Sequence, residues 1–238
     1  MNSATQKRPR KVPKESRARK QTKWERPGVV PLRNESLVKP NLRVFPNVLP
    51  DELHRQAHQL FFSDQVITYL QPHENRVRQP FTGKMVQVPR EQAVYSTPGG
   101  LSYAFSGARL VAREEKEVPL LTTLREWVEK VSGNAFNFAF INYYATGKNT
   151  IGWHSDDEDD MVSGAPIASL TLGAARDFDF RLIADYKVVH RIVLEDNMLV
   201  LMDAPTNQRW EHALPRRMRL KDPRINITFR LFKPQHRQ

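Results

Sequence analysis

Cysteine is absent from this 238-residue chain, and so are long apolar runs. Without thiols the protein has no disulfide scaffold, no thiolate zinc site, no cysteine-held iron–sulfur cluster and no cysteine nucleophile. No apolar run is long enough to cross a bilayer, and the opening residues MNSATQKRPRK contain no apolar signal-peptide core. These absences predict a soluble intracellular protein.

Several familiar motifs are missing as well. The sequence contains no G-x-S-x-G, P-loop or G-x-G-x-x-G motif, so hydrolase-type acyl transfer, P-loop NTPase chemistry and dinucleotide binding lose their usual signatures. We find no internal repeat. Apolar residues make up 39% of the chain, which is lean but sufficient for one domain of ordinary size with a tail.

Positive charge is concentrated at the amino terminus. Residues 1–26 contain ten Lys/Arg and two Glu, a net charge of +8 out of +11 for the whole chain. We therefore predict a basic, disordered tail over residues 1–40, followed by a folded domain over 41–238. The cluster KRPRK, Lys7 to Lys11, suits either a nucleic-acid partner or a nuclear import signal. The alternative is a tail that only confers solubility.

Periodicity predicts two helices and many short strands. The helices cover residues 50–62 and 118–133, each with an apolar stripe. The strands are rich in β-branched and aromatic residues, are separated by turn sequences, and are predicted at 136–145, 167–173, 176–183, 188–195, 197–204 and 224–232. So many short strands without intervening helices favour a sandwich or jelly roll.

Two of these strands have unusual polar faces. In 136–144 the even-numbered residues are three Phe followed by Asn142 and Tyr144, and in 224–230 they are two Arg flanking Asn and Thr. The even face of the second strand either faces water or holds a small dianion between its two arginines. Arginine suits the second role because its planar guanidinium pairs bidentately with carboxylate.

An H-x-D pair and a distant histidine form a candidate metal site. His154 and Asp156 are two residues apart, and His212 lies on a strand-like segment 56 residues after Asp156. Two imidazoles and one carboxylate form the facial triad that holds non-haem Fe(II) and leaves three positions for a 2-oxo acid and O₂. The same ligands suit zinc with a water. The remaining alternative is an acidic surface loop, 156–160, with two unrelated histidines.

A second histidine pair lies on the first predicted helix. His54 and His58 are spaced i, i+4, as in zinc peptidases, but Arg55 stands where those enzymes carry the general-base Glu. We interpret the two as ordinary helix-surface histidines, with metal binding as the alternative.

Taken together, these segments resemble the AlkB family of Fe(II)/2-oxoglutarate dioxygenases, in its nucleic-acid demethylase branch. The resemblance runs from about residue 80 to residue 232 and rests on five ordered blocks: NYY (142–144), GWHSDDE (152–158), PIASLTLGAARDF (166–178), LMDAPTNQRWEHALP (201–215) and PRINITFR (223–230). It implies a mainly β protein with flanking helices (α+β), built on a double-stranded β-helix, or jelly-roll, core. It also implies an N-terminal nucleotide-recognition lid over residues 81–107.

The resemblance also implies roles for individual residues. The iron ligands would be His154, Asp156 and His212. The residues that hold the co-substrate 2-oxoglutarate would be Asn142, Tyr144, Arg224, Asn226, Thr228 and Arg230, with Arg224 at the distal carboxylate. The residues that contact the nucleic-acid substrate would be Phe81, Arg90, Tyr103, Phe105, Ser106, Asp157 and Glu158. Among these, Phe105 would stack on a flipped base, although Tyr103 and Phe105 could instead be strand aromatics facing a core.

The implied activity is oxidative demethylation of 1-methyladenine- and 3-methylcytosine-type bases in DNA or RNA. It would use Fe(II), 2-oxoglutarate and O₂ and release formaldehyde, succinate and CO₂. Alternatives are an Fe(II)/2-oxoglutarate oxygenase that acts on a protein or lipid, and a non-catalytic nucleic-acid-binding relative. We expect a monomer without a membrane partner, located in the nucleus of a eukaryote or otherwise in the cytoplasm.

Overall fold

The computed structural model describes residues 39–62, 67, 76–78, 83–105, 108–156 and 159–234, with only the backbone of 77, 78, 104, 105 and 108. Most of the predicted basic tail therefore lies outside the described residues. No helix of the described part is long and apolar enough to cross a membrane.

Short strands dominate the described chain. They are β1 (Leu42–Phe45), β2 (Arg76–Arg78), β3 (Met85–Gln87), β4 (Glu91–Ser96), β5 (Ser102–Phe105), β6 (Ala108–Val111), β7 (Arg113–Glu114), β8 (Phe138–Tyr144), β9 (Ile151–His154), β10 (Ile167–Gly173), β11 (Arg176–Leu182), β12 (Val189–Leu194), β13 (Met198–Met202), β14 (Trp210–Leu214) and β15 (Arg224–Arg230). The helices are α1 (Asp51–Phe61), α2 (Pro119–Ser132) and α3 (Ala204–Arg209).

Both predicted helices form, within one residue of the expected ends. α1 begins with Asp51 and Glu52, whose charges suit the positive end of a helix. α2 begins at Pro119, where the missing N–H costs nothing, and is followed by Gly133 in the left-handed region at φ 71°. The α2 stripe is buried: Leu121, Leu124 and Val128 are fully covered.

A seven-stranded sheet forms the larger layer, in the order β1-β13-β10-β15-β8-β4-β7. Its pairs are antiparallel except β4 with β7. One face packs against α1 and α2, and the odd residues of β15, Ile225, Ile227 and Phe229, belong to this core with no exposed surface. The even residues of β15 must therefore face the opposite side of the sheet.

A four-stranded antiparallel sheet, β12-β11-β14-β9, forms the smaller layer. Apolar clusters that combine residues of both sheets, such as Phe180 and Trp210 with Ile167 and Met202, fill part of the space between the layers. The two packed antiparallel sheets with outer helices confirm the jelly-roll core and the mainly β class with flanking helices.

The segment predicted as a lid, 81–107, divides between two locations. β4 pairs with β8 inside the large sheet, whereas β5 forms a separate hairpin with β6, and β3 forms another with β2. The assignment of the whole segment as a lid remains a prediction.

Three predicted strand ends differ from the structure for local reasons. The strand predicted at 197–204 is shorter, because Asn197 adopts a left-handed turn conformation at φ 54° and Asp203 caps α3. The strand predicted from residue 136 begins at Phe138, because the Asn137 side chain bonds both backbone groups of Phe232 instead.

Candidate metal and co-substrate site

Two histidines face each other on neighbouring strands of the small sheet. His154 is the last residue of β9 and lies directly opposite His212 on β14. Asp156 follows two residues later, and its carboxylate oxygens lie 3.6 Å from Nε2 of His154 and 3.8 Å from Nε2 of His212. One ligand atom from each residue lies within 4.8 Å of the others. The structure thus brings the three predicted metal ligands together.

The side-chain amide of Asn207 holds the loop that carries Asp156 in place. The Asp156 backbone N–H donates to Oδ1 of Asn207 at 3.0 Å, and Nδ2 of Asn207 donates back to the Asp156 carbonyl. Asn207 lies on α3, whose first turn is capped by Asp203, which accepts from the Thr206 N–H at 2.8 Å. Sequence reasoning missed Asn207. The available signal was the sequence DAPTN, an N-cap Asp followed by Pro in the first helical turn.

The hydrogen bond of His154 identifies its tautomer. Its Nδ1 lies 2.9 Å from the Gly152 carbonyl, and a carbonyl only accepts, so Nδ1 carries the proton and Nε2 presents a lone pair towards Asp156. Burial lowers the pKa of His154, and burial together with the neighbouring His154 lowers the pKa of His212 to about 3. Both imidazoles are therefore neutral near pH 7, as metal ligation requires.

The carboxylate of Asp156 is buried and paired. Burial alone would raise its pKa, but Arg230, His212 and His154 together hold the pKa below its usual value. Nη2 of Arg230 lies 2.9 Å from Oδ2. Two neutral imidazoles and one carboxylate are the donor set of the Fe(II) facial triad, so these residues fit that ion.

A cavity of about 750 Å³, counting the space at its open mouth, lies between the sheets beside the triad. Its walls include all nine residues predicted to hold metal or co-substrate, namely Asn142, Tyr144, His154, Asp156, His212, Arg224, Asn226, Thr228 and Arg230. The even faces of β8 and β15 therefore point into this interior and not to bulk water. The alternative of a solvent face is wrong because the small sheet covers it.

Arg224 is the most deeply buried of the arginines that line this cavity, with 1% of its surface exposed. Its Nη2 donates to Thr171 at 2.9 Å and to Asn226 at 2.8 Å, and its guanidinium lies 5.3 Å from the centre of the Tyr144 ring. Burial lowers its pKa to about 10, so it stays charged at neutral pH. Within the described part of the chain, its Nε has no hydrogen-bond partner. A buried guanidinium with an unused donor fits an anionic co-substrate.

Polar side chains connect the rest of the cavity wall. Ser169 donates to Oδ1 of Asn226 at 2.9 Å, and Nδ2 of Asn226 donates to Thr228 at 2.7 Å. These bonds fix which end of the Asn226 amide faces which neighbour. Sequence reasoning missed Ser169 and Thr171. Their signal was alternation, since they occupy every second position of the otherwise apolar strand IASLTLG.

Asn142 is held from a third strand. Its Oδ1 accepts from Nε of Arg90 at 2.7 Å and from Nε2 of Gln92 at 2.9 Å. Arg90 is buried, lines the cavity and also donates to the Thr150 carbonyl. In this structure Arg90 therefore positions Asn142; its predicted contact with substrate remains a prediction.

Tyr103 combines two predicted features. It is buried in an aromatic cluster with Phe138, Phe140 and Phe232, and it also lines the cavity, with the Arg230 guanidinium 5.1 Å from its ring centre. The other predicted substrate residues cannot be compared with the structure: Phe81, Ser106, Asp157 and Glu158 lie outside the described residues, as does the side chain of Phe105.

Comparison with known proteins agrees with this site. The family model of the 2OG-Fe(II) oxygenase superfamily matches residues 41–230. The chain therefore belongs to that superfamily, whose name specifies Fe(II) and 2-oxoglutarate. Its cavity offers a fitting donor set for both.

Comparison with individual proteins is more specific than the match to the superfamily. The chain is 42% identical over 155 residues to DNA oxidative demethylase ALKBH2 of Homo sapiens, covering 62% of this chain and 58% of the relative. The Mus musculus protein of that name is 42% identical over 160 residues, covering 64% and 65%. Alpha-ketoglutarate-dependent dioxygenase alkB homolog 3 of Homo sapiens is 35% identical over 159 residues, covering 63% and 54%. These similarities confirm the AlkB resemblance, and the chain spans about three fifths of these relatives' length.

Proposed function

We propose that this chain is an Fe(II)/2-oxoglutarate-dependent dioxygenase that removes N-methyl groups from bases of DNA or RNA. The observation that carries the proposal is the triad of His154, Asp156 and His212 beside a cavity that also contains the buried Arg224. A metal site alone would suit zinc as well. A buried cation in the same cavity is what an additional dicarboxylate needs.

Bound iron, together with 2-oxoglutarate and O₂, would supply one overall reaction. The N-methyl carbon is hydroxylated and leaves as formaldehyde, while 2-oxoglutarate becomes succinate and CO₂. His154, Asp156 and His212 would hold the iron. Arg224 would pair with the distal carboxylate, and Arg230 balances the charge of Asp156 while facing the metal end. Asn226 and Thr228 would orient the chain of the co-substrate between those ends.

The proposed substrate rests on two observations. The curated relatives include proteins named DNA oxidative demethylase, and the chain carries a net charge of +11, of which residues 1–26 contribute +8. Excess positive charge is what a phosphate backbone attracts. The predicted contacts of Asp157 and Glu158 with a cationic methylated base form part of this proposal.

The direct test uses the full chain with Fe(II), 2-oxoglutarate and O₂. Oligonucleotides with one 1-methyladenine or one 3-methylcytosine, as DNA and as RNA, single- and double-stranded, are incubated and weighed by mass spectrometry. We expect loss of one CH₂ with matching formaldehyde and succinate, and none with the Asp156→Ala variant. Activity on methylated peptide alone would favour the protein-substrate alternative. Tight oligonucleotide binding without any succinate would favour the non-catalytic one.

The basic tail has its own test. Deleting residues 1–26 is expected to weaken oligonucleotide affinity and to flatten its dependence on salt, because fewer counterions are released on binding. The control is a scrambled tail of equal charge, which should retain the salt slope. An unchanged slope after deletion would leave the tail either with targeting, for which KRPRK would be a nuclear signal, or with no role beyond solubility.

A further inference from the structure

A second His–His–Asp cluster lies outside the cavity, on the surface of α1. His54 and His58 are one helical turn apart, and Asp196 faces them from the turn between β12 and β13. Nε2 of His54 lies 3.1 Å from Oδ2 of Asp196, and Nε2 of His58 lies 2.9 Å from Oδ1. Each imidazole thus faces a different oxygen of the same carboxylate.

The turn that carries Asp196 is bound to the chain that enters α1. Asn197 adopts φ 54°, accepts at Oδ1 from the Leu49 N–H at 2.8 Å and donates from Nδ2 to the Leu49 carbonyl at 3.0 Å. The Val48 N–H donates to the Asn197 carbonyl at 3.0 Å. These bonds fix the turn relative to the helix, so the three side chains are preorganised.

The carboxylate is held as an anion. Burial works against its charge, but the Gly173 N–H, which donates to Oδ1 at 2.7 Å, and the two histidines lower the pKa of Asp196. The side chains of His54, His58 and Asp196 are 25%, 35% and 41% exposed. The cluster therefore lies at the protein surface, with Nε2 of His54 itself covered.

The spacing of the ligand atoms suits a small divalent ion. Bonds of about 2.0–2.2 Å to nitrogen and oxygen in a tetrahedron put neighbouring ligand atoms about 3.3 Å apart. The observed 3.1 and 2.9 Å would need to open by only a few tenths of an ångström. Two imidazoles separated by one helical turn converge on one carboxylate, and one ligand atom from each residue lies within 4.8 Å of the others. Imidazole nitrogen and carboxylate oxygen are both ligands of Zn²⁺.

We propose that His54, His58 and Asp196 form a second metal site, of the zinc type, that ties α1 to the β12–β13 turn. The site is structural, because Arg55 occupies the position of a peptidase general base and no cavity residue is shared with it. The inference is independent of the proposed demethylase activity.

The test counts zinc on the full, metal-stripped chain after equilibrium dialysis against buffered Zn²⁺. The wild type is expected to bind two equivalents, one at the triad and one at this site. The double variant His54→Ala/His58→Ala is expected to bind one and to keep its activity. His190→Ala, a histidine of β12 outside both clusters, is the matched control and should retain two.

A conservative variant guards against a folding defect. Asp196→Asn keeps an acceptor for the Gly173 N–H but loses the charge, and it should weaken zinc binding here at least ~10-fold with an unchanged circular dichroism spectrum. Equal zinc content in the wild type and the double variant would overturn the proposal, whether or not the triad binds zinc, since the counted ions would then lie elsewhere. An unchanged zinc affinity of Asp196→Asn would also overturn it.

Discussion

His154 and His212 lie directly opposite each other across the β9–β14 pair, with ring centroids 4.2 Å apart. This cross-strand pairing places two imidazole nitrogens on the same side of the small sheet. Each histidine supplies one of them, so the remaining histidine cannot compensate for the loss of the other. We expect His212→Ala to abolish stoichiometric Fe(II) binding and to reduce succinate formation to background. Iron content and coupled turnover measure both effects.

The matched control for that variant is His190→Ala, which alters another histidine of the same sheet. It should retain iron and turnover. Normal iron content in His212→Ala would remove His212 from the ligand set.

Asn207 forms hydrogen bonds with both the backbone N–H and the backbone carbonyl of Asp156, a proposed iron ligand. Asn207→Ala leaves the three ligands in the sequence but releases the loop that carries one of them. Loss of such an outer partner typically costs about 10–100-fold in metal affinity. We expect an iron affinity reduced by that factor, with activity recovered at high Fe(II). Titration of iron against activity measures it.

Asn134→Ala provides the comparison, because Asn134 bonds only the end of α2 near Ser132 in the hydrogen bonds described. Its iron titration should match the wild type. An Asn207→Ala protein whose activity loss excess iron does not rescue would instead point to a general folding role.

Alternation identified the polar faces of the two strands but left open whether they face water or a ligand. The even residues of β15 were recognisable as polar positions between buried odd ones, and the structure places them in the cavity. The H-x-D spacing likewise located Asp156 relative to His154. The helices were predicted within a residue of their ends, because the acidic first turn of α1 and Gly133 after α2 are local signals.

The local sequence contains no such signal for contacts between distant segments. Asp196 lies 138 residues after His58, and nothing in either local sequence indicates that they meet. The hydrogen bonds of Asn207 with Asp156 and of Arg90 with Asn142 arise in the same way, from packing of segments that are distant in the sequence. Local periodicity reports which face a side chain occupies; tertiary pairing decides what it meets there.

Replacement of Arg224, the most deeply buried arginine of the cavity wall, tests the co-substrate assignment. Arg224→Lys keeps the charge but loses the planar pair of donors. A charge-assisted hydrogen bond contributes about 1.5–3 kcal/mol, so the KM for 2-oxoglutarate should rise roughly ten- to a hundredfold. Oligonucleotide affinity should not change. Steady-state kinetics in 2-oxoglutarate and a binding titration separate the two.

Arg191→Lys is the matched substitution, because Arg191 pairs with Asp179 and its side chain is 52% exposed. It should leave the KM for 2-oxoglutarate unchanged. Parallel losses of co-substrate and oligonucleotide binding in Arg224→Lys would argue against a specific role for Arg224.

The ion pair between Arg125 and Glu115 lies away from the site, and its removal tests what a buried ion pair contributes to the free energy of unfolding. Glu115 is 1% exposed, and both its oxygens accept from Nε of Arg125, at 3.0 and 3.1 Å. Arg125→Met would leave that carboxylate buried without its cation, which costs about 3–5 kcal/mol of unfolding free energy. The exposed pair of Arg55 and Glu52 gives the contrast, and Arg55→Met should change stability little. Urea denaturation of both variants decides: equal midpoints would mean that the buried pair contributes no more than the exposed one.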